Sequence, residues 1–165
     1  MPMIDAMLGE YDAEAANTRK MMERYPAEKA TWKPHDKSFS MQGLAAHVAT
    51  LPSFAKTIAT TDALNMKAGD YVPFVPKTRE ELIARFEQET ADTRAALAKL
   101  SDADMAKPWS FSWEGNKIFE MPRGAALRTM CFNHLIHHRG QLTVYYRENG
   151  VPLPGMYGPS ADEKG

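Results

Sequence analysis

The sequence predicts an all-α fold, a four-helix bundle with a short β-hairpin before the last helix. Three observations carry that expectation. Apolar residues recur at the helical period in four separate segments, stretches bearing proline or glycine part those segments, and one stretch alone alternates as a strand pair does. A bundle is the most economical way to bury four apolar helix faces, and bundle cores commonly house metal sites built from facing helices. At 165 residues and 18.5 kDa the chain is read as one domain, residues 1–165, with length enough for one well-developed core.

The first helix runs from Met3 to Arg24, with Met7, Tyr11, Ala15 and Met22 at broadly helical spacing, and stops before Pro26. The loop AEKATWKPHDKSFS follows, and MQGLAAHVATLPSFAKTIAT forms the second helix. There Leu44, His47, Leu51, Phe54 and Ile58 fall in one stripe, which turns His47 toward the core. Pro52 removes a backbone hydrogen bond to residue 48 and predicts a kink or break just after the histidine. AGDYVPFVPK is too rich in proline for a helix and serves as an extended connector.

Thr78 and Glu81 have capping-box spacing and open a third helix through Leu82, Phe86, Thr93 and Leu97 to Leu100. SDADMAKP breaks the pattern. WSFSWEGNKIFEM then alternates aromatic and polar residues around Glu114, Gly115 and Asn116, the mark of a short hairpin. The last helix begins near Pro122 and runs to Asn149, with Gly150 as its terminator. Leu127, Met130, Cys131, His134, His138, Gln141 and Tyr145 share one of its faces. Gly140 in its middle invites a packing explanation such as the close approach of another backbone. The tail VPLPGMYGPSADEKG is expected to be irregular, with its last few residues disordered.

With 44% hydrophobic and 25% charged residues the composition is that of a globular protein rather than a disordered or membrane one. A net charge of -1, dispersed lysine and arginine, and no recognition-helix pattern argue against a nucleic-acid partner. No apolar run reaches the roughly eighteen residues of a spanning helix, so no membrane partner is expected. The single cysteine, Cys131, excludes an intrachain disulfide framework. The opening segment has early acidic residues and no basic start leading into an apolar core. The expected location is therefore cytoplasmic.

The chemistry lies in the histidines. His134 and His138, in HLIHHRGQL, stand four residues apart, so they project from one helix face with Cβ atoms about 6 Å apart. His47 on the second helix offers a third imidazole. Three neutral imidazoles suit borderline divalent ions, zinc first and nickel or iron after it, and suit calcium or magnesium poorly. On the residues alone a hydrogen-bonded core histidine is the commoner reading of His47, and the four-residue spacing also arises by chance on helices.

Several blocks in order, WKPHDKSFS with LAAHVATLP, WSFSW, HLIHHRGQLTVYYRENG and VPLPGMYGPSADE, resemble the DinB family, the DinB/YfiT-like metalloenzymes that fold as four-helix bundles. The resemblance spans residues 32–163, and its most specific part is the ordered pair LAAHV and HxxxHRGQL. It implies a metal held by His47, His134 and His138, with a position left open for water or substrate. It also implies thiol transferases and a thiol-dependent isomerase as relatives, in which the metal activates a low-molecular-weight thiol, alongside members with no assigned activity. A homodimer is the assembly it suggests.

The expected function is that of a metal-dependent transferase or hydrolase acting on a small molecule, with a thiol as a candidate partner. The alternative is a non-catalytic bundle with a structural or sensory metal, for which Cys131 one turn before His134 is the candidate fourth ligand. The commoner role of a buried lone cysteine is that of a small apolar residue. His137 falls off the ligand stripe as a flank residue, and His35, between Pro34 and Asp36, suits a turn. Gln141 is placed to orient a ligand ring, whereas Arg139 suits a surface or subunit-interface ion pair. Trp32, Trp109 and Trp113 suit the core more than a pocket wall. No carboxylate shares the histidine stripe before Glu148, so a general base would come from Asp36, Asp12 or Glu120 through folding of loops.

Overall fold

The computed structural model describes residues 2–164 and is mostly helical, with one small mixed sheet. Its elements in chain order are α1 (Met3–Glu23), a 3₁₀ turn (Ala27–Lys29), α2 (Met41–Thr60), β1 (Ala63–Met66), α3 (Arg79–Leu97) and α4 (Asp102–Ala106). There follow β2 (Pro108–Trp113), β3 (Asn116–Pro122), α5 (Arg123–Leu127), a π-helical stretch (Arg128–Asn133) and α6 (His134–Glu148).

The helix starts follow local chemistry. Ser40 caps α2 by accepting the Gly43 amide, and Thr78 caps α3 by accepting the Glu81 amide at 3.1 Å. The return bond of that cap lands one residue early, because the Glu81 carboxylate accepts from Lys77 at 2.7 Å. α2 runs unbroken through Pro52 instead of breaking there. It packs along α3, where the Thr93 hydroxyl donates to the Pro52 carbonyl at 2.6 Å, and tertiary contact outweighs the missing backbone bond. The expected α3 stripe of Leu82, Phe86, Thr93 and Leu97 is buried throughout.

β2 and β3 pair antiparallel across Glu114 and Gly115, which both take positive φ, at 50° and 80°. That combination suits the two-residue turns whose twist matches the strands they join. The sheet is larger than the sequence suggests, because β1 adds to the other edge of β2 in parallel, Ala63 opposite Ser110 and Met66 opposite Trp113. SDADMAKP, expected only to break the pattern, holds the short helix α4. Ser101 and Asp104 form a full reciprocal cap there.

Two apolar clusters fill the interior. One joins Met21 and Met22 of α1, and Tyr25 just after it, to Leu44, Val48, Leu82, Phe86 and Tyr146, and the other joins Ile58, Leu97, Met105, Trp109, Leu127 and Phe132 near the sheet. α2 belongs to both. The tail is irregular as expected but tied down: Asp162 pairs with Arg147 at 2.6 Å, Glu163 with Arg24, and the Tyr157 hydroxyl donates to Glu14 at 2.8 Å. The last of these partners is on Glu163, and Gly165 lies outside the described residues.

Candidate metal centre

α2 and α6 pack together and bring His47 up against His134 and His138. The Nε2 atoms of His47 and His134 are 3.3 Å apart, and the ring centroids lie 5.1 Å (His47 to His134), 4.7 Å (His47 to His138) and 4.7 Å (His134 to His138) from one another. One ligand nitrogen from each ring falls within 4.8 Å of the others. Two nitrogens about 2.05 Å from one ion at a tetrahedral angle are separated by about 3.3 Å, so the cluster has the spacing an ion needs.

The outer nitrogens are held. His138 Nδ1 lies 2.7 Å from the Gln141 side-chain oxygen, and His134 Nδ1 lies 3.3 Å from the Met130 carbonyl. A carbonyl oxygen only accepts, so Nδ1 carries the hydrogen in both rings and Nε2 keeps its lone pair. Burial, followed by the neighbouring His138 and His134, pushes the His47 pKa down to about 4. Burial likewise lowers that of His138, against the opposing pull of its bond to Gln141. These two imidazoles are therefore neutral near pH 7, the form in which they donate to a metal.

All three rings are half-buried rather than deep in the core. The most buried line of α6 is Leu135, Arg139, Leu142 and Tyr146, and His134 and His138 sit on its shoulder toward His47 of α2, with His134 also on the wall of an adjoining cavity. That shift corrects the expected position of Arg139, which is 1% exposed and not at the surface or a subunit interface. Its guanidinium pairs with Glu14 at 2.6 Å and donates to the Thr18 hydroxyl at 3.0 Å and the Glu14 carbonyl at 3.1 Å. Centring the apolar face on the histidines displaced it by about one residue step and left Arg139 outside.

Cys131 is buried among Tyr11, Leu51 and Phe132 and does not join the histidine group; burial raises its thiol pKa, so it is no thiolate. His137 is exposed beside His138, and His35 closes a turn by accepting the Lys37 amide at 3.1 Å. Phe39, which no sequence pattern marks, stacks its ring on His47 with centroids 5.9 Å apart.

A cavity of about 500 Å³ opens beside the cluster. His47 and His134 form part of its wall, with Leu51 and Phe54 from α2, Met130 from the π-helical stretch, Arg85 from α3, and Asp70, Tyr71, Val72 and Phe74 from the connector after β1. None of the three tryptophans lines it: Trp109 is fully buried, Trp32 packs on Tyr145, and Trp113 is exposed. Nor do the carboxylates suggested by the sequence. Asp12 pairs with Arg94, Glu120 with Lys117, and Asp36 is solvent-exposed, whereas the carboxylate on the wall is Asp70.

A model of the DinB superfamily matches residues 10–142. The chain belongs to that superfamily. This DinB member is 25% identical to the uncharacterized protein YrdA of Bacillus subtilis strain 168 over 161 residues, 97% of this chain and 91% of that protein. It is 30% identical to the uncharacterized protein YjoA of the same strain over 138 residues, 81% of this chain and 82% of the other. Among solved structures it is similar to a DinB-like protein from Bacillus cereus ATCC 10987, with a TM-score of 0.72 at 23% identity, covering 93% of this chain and 97% of that one. The crystal structure of YjoA gives a TM-score of 0.68 at 22% identity, covering 92% and 97%. Likeness at this identity shows a shared fold.

Proposed function

We propose that this DinB protein is a metal-dependent transferase or hydrolase acting on a small molecule, with His47, His134 and His138 as the ligands of a divalent transition metal. Zinc is the first candidate ion, with nickel and iron after it. The observation that carries the proposal is the convergence of three imidazoles, two of which, His47 and His134, line an open cavity. Three protein ligands is the number catalytic zinc sites use, whereas structural sites use four. Among the described residues no cysteine or carboxylate joins the group, which argues against the structural or sensory alternative. No described helix is long and apolar enough to cross a membrane.

Bound there, such an ion supplies Lewis acidity, lowering the pKa of a thiol or water at its open position. The chain's own residues do the rest. Gln141 and the Met130 carbonyl fix two ring tautomers, Phe39 covers one face of His47, and Leu51, Phe54 and Met130 keep the adjoining wall apolar. The proposal extends to a low-molecular-weight thiol as co-substrate, a bundle built from α1, α2, α3 and α6, a cytoplasmic homodimer, and no nucleic-acid partner.

The test is zinc stoichiometry. The native chain should bind one zinc per chain by elemental analysis and calorimetry, and His138→Ala should lose that binding while far-ultraviolet circular dichroism stays helical. Stoichiometric zinc retained by His138→Ala refutes the ligand set. A screen of zinc-loaded protein against electrophiles with and without added thiols then separates transfer from hydrolysis.

A further inference from the structure

Arg85 reaches the cavity wall from α3, the helix that packs along α2 and carries none of the three histidines. Two contacts hold its side chain in place. Its Nη2 pairs with Glu89 at 2.7 Å, one helical turn on, and its guanidinium lies over the Phe74 ring, 5.5 Å from the centroid. Glu89 is not part of the wall, so its carboxylate steadies the guanidinium from outside the cavity. A guanidinium has five N–H donors, and beyond that ion pair no hydrogen bond occupies those of Arg85 among the described residues.

Asp70 lines the same cavity, but its carboxylate is engaged in a turn. It accepts the Lys67 amide at 2.9 Å while its own amide donates to the Lys67 carbonyl at 3.2 Å. Leu51, Phe54, Val72 and Phe74 give the same wall apolar surface, beside the polar Thr50 and Ser53. The volume of about 500 Å³ falls inside the range of small-molecule sites.

We propose that the cavity takes a small molecule with an apolar, aromatic-sized body and a terminal carboxylate that pairs with Arg85, leaving its opposite end at the imidazoles. Arginine matches a carboxylate in plane and charge, and the ring of Phe74 beneath it suits a flat apolar body. The inference rests on reading the histidine cluster as the reacting end, which makes Arg85 the anchor that fixes substrate direction.

Dansylglycine is the probe, an apolar fluorophore with a carboxylate, and its methyl ester is the uncharged control. Fluorescence titration of zinc-free protein should show dansylglycine bound about fivefold more tightly than the ester, the scale of one part-exposed ion pair. Arg85→Gln should equalise the two, and Arg85→Lys should restore part of the preference. Equal binding to the native chain, or a preference that survives Arg85→Gln, overturns the proposal. So does tighter binding of the cationic analogue dansylcadaverine, which would give the rim to Asp70. Because these titrations omit metal, failure of the chain to bind zinc would strike the metal-site reading and leave the carboxylate preference to be judged by itself.

Discussion

Arg139→Met should be among the most destabilising single substitutions in this protein. The arginine is 2% exposed in its side chain and Glu14 9%, so the pair is removed from water on both sides. Taking away the guanidinium leaves the Glu14 carboxylate in an apolar interior with only the Tyr157 hydroxyl donating to it. Breaking a buried pair in this way costs about 3–5 kcal/mol, most of it the penalty of an uncompensated charge. For a chain of this size 1 kcal/mol moves the midpoint by about 2–4 °C, so a fall of about 10 °C is expected. The double variant Glu14→Gln/Arg139→Met should recover most of the loss, because no charge is then stranded. Thermal and urea unfolding of the zinc-free proteins, followed by circular dichroism, measure both. A loss under about 1 kcal/mol for Arg139→Met, or a double variant no more stable than the single, refutes the reasoning.

Gln141→Leu removes the acceptor of His138 Nδ1–H and should weaken zinc binding about 10–100-fold in a chelator competition; unchanged affinity would show that the bond does not orient the ring. Gly140→Ala should stabilise the chain by about 0.5–1 kcal/mol, since no heavy atom lies within 4 Å of an added Cβ, and a lower urea midpoint would contradict that open space. Acid should destabilise the zinc-free chain through His47, whose pKa is about 4 when folded against about 6.5 when unfolded. Between those values the unfolded chain binds the extra proton, so stability falls as pH drops through 6.5, and the loss is complete below 4. Partial exposure of the ring limits the effect to about 1–2 kcal/mol. Urea midpoints from pH 7.5 to 4 should show it in the native chain and less of it in His47→Gln; identical slopes would count against the assignment.

The long helices were legible because each carries enough turns for its apolar period to stand out, as the buried set Leu82, Phe86, Thr93 and Leu97 illustrates. β1 and α4 were not. Four and five residues are too few to show a period, and Ala63–Met66 becomes a strand only by pairing with residues nearly fifty positions away. The meeting of His47 with His134 and His138 could be anticipated from helix faces together with the family pattern. The cavity beside them could not, since Asp70, Tyr71, Val72 and Phe74 come from a connector whose path is set by contacts across the fold. The placing of Arg139 failed for a different reason: an apolar stripe drawn through half-buried histidines is centred on the edge of the true buried face.

The π-helical stretch Arg128–Asn133 separates two helices that both touch α2 but otherwise have different duties, α5 docked on α4 and the sheet, and α6 docked on α1. A π turn holds one residue more than an α turn, equivalent to a rotation of about 100°. Deleting any one residue there would let a regular helix form, and then Leu127 and His134 could not both keep their present directions. The phase of the histidines is thus a matter of chain length, indifferent to which residue is counted. In comparing relatives, the number of residues from the proline before α5 to the first histidine of HxxxH becomes diagnostic: a homologue shorter by one would retain every ligand and still aim two of them away from the third.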